Sequence, residues 1–490
     1  MPPSNVFQNN NQNNPVVNPV LGNSQQLQNQ PEINSNSQIP ASPPSTPKYP
    51  KLKIKFSKPL MMIAGIVFAL VVLIILIVKI FFGGSTKKSG EIVWWGLWED
   101  QSVVTPLINS YESTHPGVKI TYLNQSKEDY RERLKSALAK GEGPDIFTIH
   151  NSWIPMFKNE LDALPSSLIT AADYSKDFYP VITSDLSYGN SIVGIPLGYD
   201  ALTLYINEEI FEKSGKSPPS TWDDLRKMAK ELTIKDEKGI IVQSGVALGR
   251  TENVDHWQEI LALMMIQNGV NLANPVGENA EDALKFFTLF SSTDGVWDAT
   301  LPTSTQAFEA GKLAMYFAPS WRSFEIQAKN PQLRFKTVAL PQLPDEGTGE
   351  SINISYATYW AQSVWNKSTH KLEAWNFLKY LSSSDSLQTL YKNEAGTRSF
   401  GEPYPRIDMA GLLKDHPLIG SIVNMAPYAR SWYLASRTFD GATGINTLMS
   451  NYFGDAVNAV TTGKKSPEDA LETVALGVSQ VLAQYGILQK

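Results

Sequence analysis

The chain has 490 residues, 42% of them hydrophobic and 12 of them Trp, with a net charge of −6 and no Cys. That length exceeds one ordinary core, so two or more domains are expected. The missing Cys excludes disulfides, thiolate metal sites, cysteine nucleophiles and a lipid-modified N-terminal Cys.

Residues 1–47 are rich in Asn, Gln, Pro and Ser, nearly free of charge and without apolar periodicity. Such a segment cannot offset its ordering entropy, and a disordered cytoplasmic tail is expected. Residues 48–59 form a basic stretch carrying Lys48, Lys51, Lys53, Lys55 and Lys58. The uncharged run from Leu60 to Val78 then reaches roughly 28 Å as a helix, enough to cross a bilayer. We expect a transmembrane helix over 60–82 and a linker over 83–90. The lysines on its N-terminal flank favour a single-pass cell-membrane protein, N-terminus inside and C-terminal part extracellular or periplasmic. A cleaved signal peptide is the alternative, against which stand the length of the apolar run and the lack of an A-x-A site. Residues 1–90 carry eight Lys against the single acid Glu32, a net of +7, which leaves −13 for the remainder. So acidic a remainder argues against nucleic acid and anionic lipid as its partners.

From Ile92 onward the pattern alternates. Ile92–Trp95 reads as a strand, with Leu97, Trp98, Glu99 and Asp100 as the turn after it. Val104, Leu107, Ile108 and Tyr111 repeat at helical spacing, Lys119–Leu123 returns to strand, and Tyr130, Leu134 and Leu138 mark a second helix. Asp145–Ile149 is the third strand, followed by His150, Asn151, Ser152 and Trp153. Strands and helices in this order predict a doubly wound sheet whose ligands sit beyond the carboxyl ends of its strands. That rule selects the loops of Trp98 to Asp100 and His150 to Trp153. Asp100 or Ser102 can equally cap the following helix, and His150 can be a satisfied loop residue.

Further on, Ile192–Pro196 reads as a strand, Tyr199 and Asp200 as a polar elbow, and Leu202–Ile206 as another strand. Asn207 then caps a helix ended by Gly215. Ser220 or Thr221 caps a helix through Leu232. Trp257–Asn268 is a helix too short in its apolar run to span a membrane; Trp257, at its start, either packs in the core or faces a cleft. Ala280–Phe290 is helical, and Leu313–Phe317 is a strand that turns through Ala318–Trp321 into the next helix. Arg322 reads as a fork for an acidic ligand or as an exposed helix-start arginine. Tyr356, Thr358, Tyr359 and Trp360 lie in a polar-aromatic strand region over Ile352–Val364. Glu373–Ser382 is an amphipathic helix with Trp375, Leu378 and Leu381 on its core side. Ser466, Pro467 and Glu468 start the last helix.

Several of these stretches, in this order, resemble the extracellular solute-binding proteins of family 1, the cargo-binding components of ABC importers for sugars and oligosaccharides, of which the maltose-binding proteins are an example. The carriers are GPDIFTIHNSW (143–153), GNSIVGIPLGYDALTLYINEEIF (189–211), AFEAGKLAMYFAPSWR (307–322), FKTVALPQLP (335–344), NEAGTRSFGEPYPRID (393–408), PYARSWYLASRTF (427–439) and the closing YFGDAVNAVTTGKKSPEDALETVALGVSQVL (452–482). The resemblance covers residues 91–490. It implies a two-lobed α/β fold of the type II periplasmic-binding-protein kind, each lobe a doubly wound sheet flanked by helices, here preceded by a transmembrane helix. Lobe 1 would comprise 91–198 and 345–391, and lobe 2 would comprise 199–344 and 392–490. Trp321 matches the family's sugar-stacking Trp, Asp200 lies where the family meets ligand hydroxyls, and Trp432 lies where it often places a cleft aromatic. The expected ligand-binding set is Trp98, Glu99, Asn151, Trp153, Tyr199 and Asp200 together with Trp257, Trp321, Tyr359 and Trp432. Rings would cover sugar C–H faces, and carboxylates and amides would meet hydroxyls.

Enzyme signatures are weak: no phosphate-binding glycine loop, no G-x-S-x-G elbow, and no H-x-x-x-H spacing among the five His. No catalytic residue, metal or cofactor is assigned. Two carboxylates flanking a glycosidic bond would suffice for a glycosidase, and sequence leaves that open. The expected function is a monomeric, membrane-tethered binding protein that hands a sugar or oligosaccharide to ABC permease subunits. A ligand-sensing ectodomain serving a signalling partner is the alternative.

Overall fold

In this computed structural model, residues 90–344 and 353–487 are described, all belonging to one unit that spans 85–490. The expected tail, basic stretch and transmembrane helix over 60–82 lie outside the described residues, as does the linker up to residue 89. Among the described residues no helix is long and apolar enough to cross a membrane.

Two five-stranded sheets organise the unit. The first is built from β1 (Gly90–Gly96), β2 (Val118–Asn124), β3 (Ile146–His150), β4 (Ile195–Pro196) and, much later, β11 (Trp360–Val364). The second contains β5 (Thr203–Asn207), β6 (Ile234–Lys235), β7 (Ile241–Val246), β8 (Leu313–Ala318) and β9 (Phe335–Val338). The strand orders are β2-β1-β3-β11-β4 and β9-β5-β8-β7-β6. A short parallel pair joins β10 (Ser355–Tyr356) to β12 (Ala429–Arg430) between them in the chain path.

Neither sheet is wholly parallel, and the reason is topological. β3 and β8 both end at the same cleft, where His150 and Pro319 line its walls. A strand arriving from the other sheet therefore starts at that end and must run away from it. Accordingly β11 runs antiparallel to β3, with Trp360 opposite His150, and β5 runs antiparallel to β8, with Thr203 opposite Ala318. The two crossing segments touch each other through the Ala201–Ala357 bridge, the Leu202 N–H to Tyr356 carbonyl bond (2.8 Å) and the Thr358 N–H to Asp200 carbonyl bond (3.0 Å).

Local chemistry sets most boundaries. Asn207 accepts from the Ile210 N–H, and Gly215 closes that helix in the left-handed region (φ 64°). Thr221 and Ser466 cap the helices Trp222–Leu232 and Pro467–Gln484 through their side-chain oxygens. Trp375, Leu378 and Leu381 are buried as their spacing predicts. Two predicted strands are interrupted. Ile192–Pro196 breaks at Val193 and Gly194, whose carbonyls accept from the Ser363 and Tyr174 hydroxyls instead of from a strand neighbour. Ile352–Val364 divides at 357–359, where the chain crosses between sheets. A small second core, including Phe400, Tyr404, Leu413 and Ile419, packs the 384–425 segment against Phe324 and Phe335.

Candidate functional site

Between the carboxyl ends of the two sheets lies a cleft of about 400 Å³. Its first wall begins at Gly96, where β1 passes so close to Tyr122 that a Cβ would sit 2.2 Å from the hydroxyl. That hydroxyl donates to the Glu99 carbonyl (2.7 Å), and Asp100 caps the next helix by accepting from the Ser102 N–H (2.8 Å). The turn is thus pinned on both sides while Trp98 projects outward, 41% exposed. Its ring meets Trp360 edge to face at 5.3 Å and lies 5.9 Å from Phe439. Below them, Gln362 Oε1 accepts from the Trp94 indole (2.9 Å) and the Thr148 hydroxyl (3.0 Å), so the floor is both polar and satisfied.

The opposite wall is carried by the β8 turn. Trp321 is half-buried, with the Arg322 guanidinium 4.4 Å from its ring centre and the edge of His256 on it at 5.6 Å. Arg322 donates from Nε to His256 Nε2 (2.9 Å), which fixes that nitrogen as an acceptor and leaves Nδ1–H to face the Ser436 hydroxyl at 2.8 Å. Ser436 in turn gives its N–H (2.6 Å) and hydroxyl (2.8 Å) to Glu259 Oε1. Burial pushes His256 below its usual value. Burial alone would raise the Glu259 carboxyl, and the two Ser436 donors work against it.

Asp200 sits on the crossing segment, 5% exposed. It accepts from the Ala201 N–H (2.8 Å), the Ser320 N–H (3.1 Å) and the Ser320 hydroxyl (3.0 Å), tying the crossing to the second sheet. Burial, reinforced by the negative Glu402, pushes its carboxyl up to about 7 against those donors. At another corner a single guanidinium serves three acids. Arg398 Nη2 lies 3.3 Å from Glu99, 3.3 Å from Glu394 and 3.1 Å from Glu402. Glu394 is raised well above the usual range by burial and by its two acidic neighbours, and Glu99 is raised chiefly by burial.

Of the residues singled out from sequence, Trp98, Glu99, Tyr199, Asp200, Trp321 and Tyr359 line this cleft. Four others stand elsewhere. Trp153 belongs to a 3₁₀ turn (Asn151–Trp153) that swings it back under the sheet, fully buried and stacked on Phe157 at 5.7 Å. Asn151 donates to Asp185 (2.9 Å), as does the Tyr359 hydroxyl (3.0 Å); burial lifts that aspartate to about 6. Asn151 and Trp432 line a separate hollow of about 460 Å³ that shares no lining residue with the cleft. Trp257 is core, its ring set against Gly454 of the helix Ile445–Thr461.

Trp360, Phe439, Glu259 and the Glu394–Arg398–Glu402 set line the cleft without having been selected from sequence. Two signals were present. An acid stands alone in the apolar run from Trp257 to Ile266, and E-x-x-x-R-x-x-x-E recurs at intervals of four in 394–402. For Trp360 nothing local distinguishes it from Trp153; only the pairing of β11 with β3 does.

The family model for bacterial extracellular solute-binding proteins matches residues 95–388. The multiple sugar-binding protein of Streptococcus mutans is 23% identical over 309 residues, 60% of this chain and 71% of that protein. Among solved structures, the sugar-binding protein MalE of Xanthomonas citri is similar at a TM-score of 0.64 and 17% identity, over 80% of this chain and 98% of that one. An ABC transporter solute-binding protein of Thermotoga lettingae, bound with α-D-tagatose, gives 0.60 and 21%, over 80% and 99%. At these identities the structures speak for the two-lobed fold, and the family match covers more than half of the sequence. The chain belongs to the bacterial extracellular solute-binding proteins.

Proposed function

We propose that this protein captures a sugar or oligosaccharide between its two lobes and delivers it to an ABC importer. The observation that carries this reading is the cleft itself, where the indoles of Trp98 and Trp321 stand on facing walls beside the carboxylates of Glu99, Asp200 and Glu402 at the ends of two sheets. Flat rings suit sugar C–H faces and the polar groups suit hydroxyls. The sugar-binding relatives support the same cargo class. The paired crossings at 197–202 and 356–359 would act as the hinge on which the lobes close, and the closed form would be what the permease recognises. The apolar run from Leu60 to Val78 supports tethering as a single-pass membrane protein with the binding unit outside.

Native mass spectrometry of residues 91–490, followed by titration calorimetry against neutral oligosaccharides, tests the reading. A retained or titrated sugar supports it. Failure of every sugar class to bind the folded protein would sink it.

A further inference from the structure

Backbone strain in this chain gathers at the cleft. Among the described residues, four that are not glycine take a positive φ: Asp129, His256, Arg437 and Phe439. The last three all line the cleft. The left-handed region is unfavourable for bulky side chains, because Cβ crowds the following carbonyl oxygen. Such a conformation persists only where the surroundings fix it, and it concentrates where a side chain must be aimed.

Both ends of the segment 436–440 are fixed. Ser436 gives its N–H and its hydroxyl to Glu259 on the second wall. Asp440, 1% exposed, accepts from the Asn446 N–H (2.7 Å) and the Thr447 hydroxyl (2.7 Å). Its carbonyl accepts from Arg131 (2.5 Å) of the helix Tyr130–Lys140, which joins β2 to β3. Between these anchors stand Arg437 at φ 56° and Phe439 at φ 51°. The segment thus straps one wall to the other, and its turns set the Phe439 ring 5.9 Å from Trp98 with the Lys127 ammonium 5.3 Å over it.

Phe439 is half-buried and, unlike Trp360, packs on neither hydrophobic core, so core burial does not offset the strain. A glycine would take this φ at no steric cost, as Gly441 does two residues on (φ 69°); what it lacks is the ring. The opposite wall repeats the device, for His256, at φ 62°, sets its ring edge on Trp321 at 5.6 Å. Each of the two facing indoles is braced by a ring carried on left-handed backbone.

We infer that Phe439 is a cargo-contacting residue that extends the Trp98–Trp360 wall, its ring meeting the C–H face of a sugar and its strained loop holding it there before cargo arrives. This deepens the sugar-binding reading and rests on it.

The test compares Phe439→Gly, Phe439→Ala and Phe439→Tyr by urea unfolding and by calorimetric titration with maltotriose, mannotriose and triacetylchitotriose. Freed of strain, the glycine variant is expected to favour the folded state over the alanine variant about fivefold; at an unstrained position the order is the reverse. Both should bind whichever sugar the wild type takes up about tenfold more weakly, and Phe439→Tyr, which keeps the ring face, should stay within about twofold of wild type. A glycine variant that binds as tightly as wild type overturns the inference and leaves sugar binding standing. An alanine variant at least as stable as the glycine one does the same. Binding of none of the three, nor of any other sugar class, by the wild type overturns both.

Discussion

Trp153 and Trp360 meet edge to face with ring centres 5.3 Å apart at 74°, and of the two only Trp360 reaches the cleft. One ring is a support and the other a surface, so their substitutions should separate. Trp360→Ala is expected to weaken ligand binding by about 1 to 3 kcal/mol, the range for a stacked and desolvated ring. Trp153→Ala should instead cost about 3 to 5 kcal/mol of stability through the cavity it leaves. Calorimetric titration paired with denaturant unfolding checks both; a large binding loss in a stable Trp153→Ala protein would contradict the assignment.

Trp321 makes the same test of the opposite wall. Trp321→Ala should lower affinity by about 1 to 3 kcal/mol while leaving unfolding nearly unchanged, because its ring is only half-buried. Unaltered affinity with intact folding would remove Trp321 from the site.

Asp200 gives a pH signature. Its folded carboxyl is raised to about 7 from the ordinary aspartate value of 3.8, so between these values the native state holds a proton that the unfolded chain has released. Stability from this group is complete below the lower value and falls as pH rises toward the higher one. Asp200→Asn should flatten that slope and fold well, since an amide can accept both N–H bonds and donate to the Ser320 hydroxyl. Urea unfolding across the window measures it, and an unchanged slope would refute the assignment. The same variant should lose affinity for a hydroxylated ligand.

How much of this was legible in the chain differs by residue. Caps such as Asn207 and Ser466, and core faces such as Trp375 with Leu378, follow from short-range rules, and the structure obeys them. The roles of Asn151 and Trp153 do not, because Asn151 is fixed by Asp185, 34 positions away, and Trp153 by a turn that reverses its direction. Glu259 was visible as a charge in an apolar helix, yet only the structure brings Ser436, 177 positions away, onto its carboxylate. Long-range pairing, not composition, decided these cases.

Arg398 holds three carboxylates together, one of them, Glu394, with a side chain only 2% exposed. Arg398→Met should destabilise the protein by about 3 to 5 kcal/mol near neutral pH, the usual result of leaving buried charge unpaired. The loss should shrink in acid, where the glutamates take up protons and need no counter-charge. Chemical denaturation at two pH values reads the difference; a pH-independent loss would point to packing instead.

Gly96 controls the turn that presents Trp98. A methyl group there must displace the Tyr122 ring and with it the bond to the Glu99 carbonyl. Gly96→Ala is expected to cost about 1 to 3 kcal/mol, as overpacking does, and to weaken binding as Trp98 shifts. Parallel thermal melts and titrations check it.

The two antiparallel arrivals have an evolutionary corollary. Thr203 opposite Ala318 and Trp360 opposite His150 begin their ladders right at the cleft, so a residue inserted into 198–202 or 357–359 must either slip a strand, inverting its faces, or be absorbed where Tyr199, Asp200 and Tyr359 stand. At the remote rim, the Asp236–Gly239 turn joins only the short β6 to β7 and can change length at little cost. Insertions and deletions are therefore filtered by distance from the crossings, and the chain can drift in length at its edges while its cargo-holding middle stays in register.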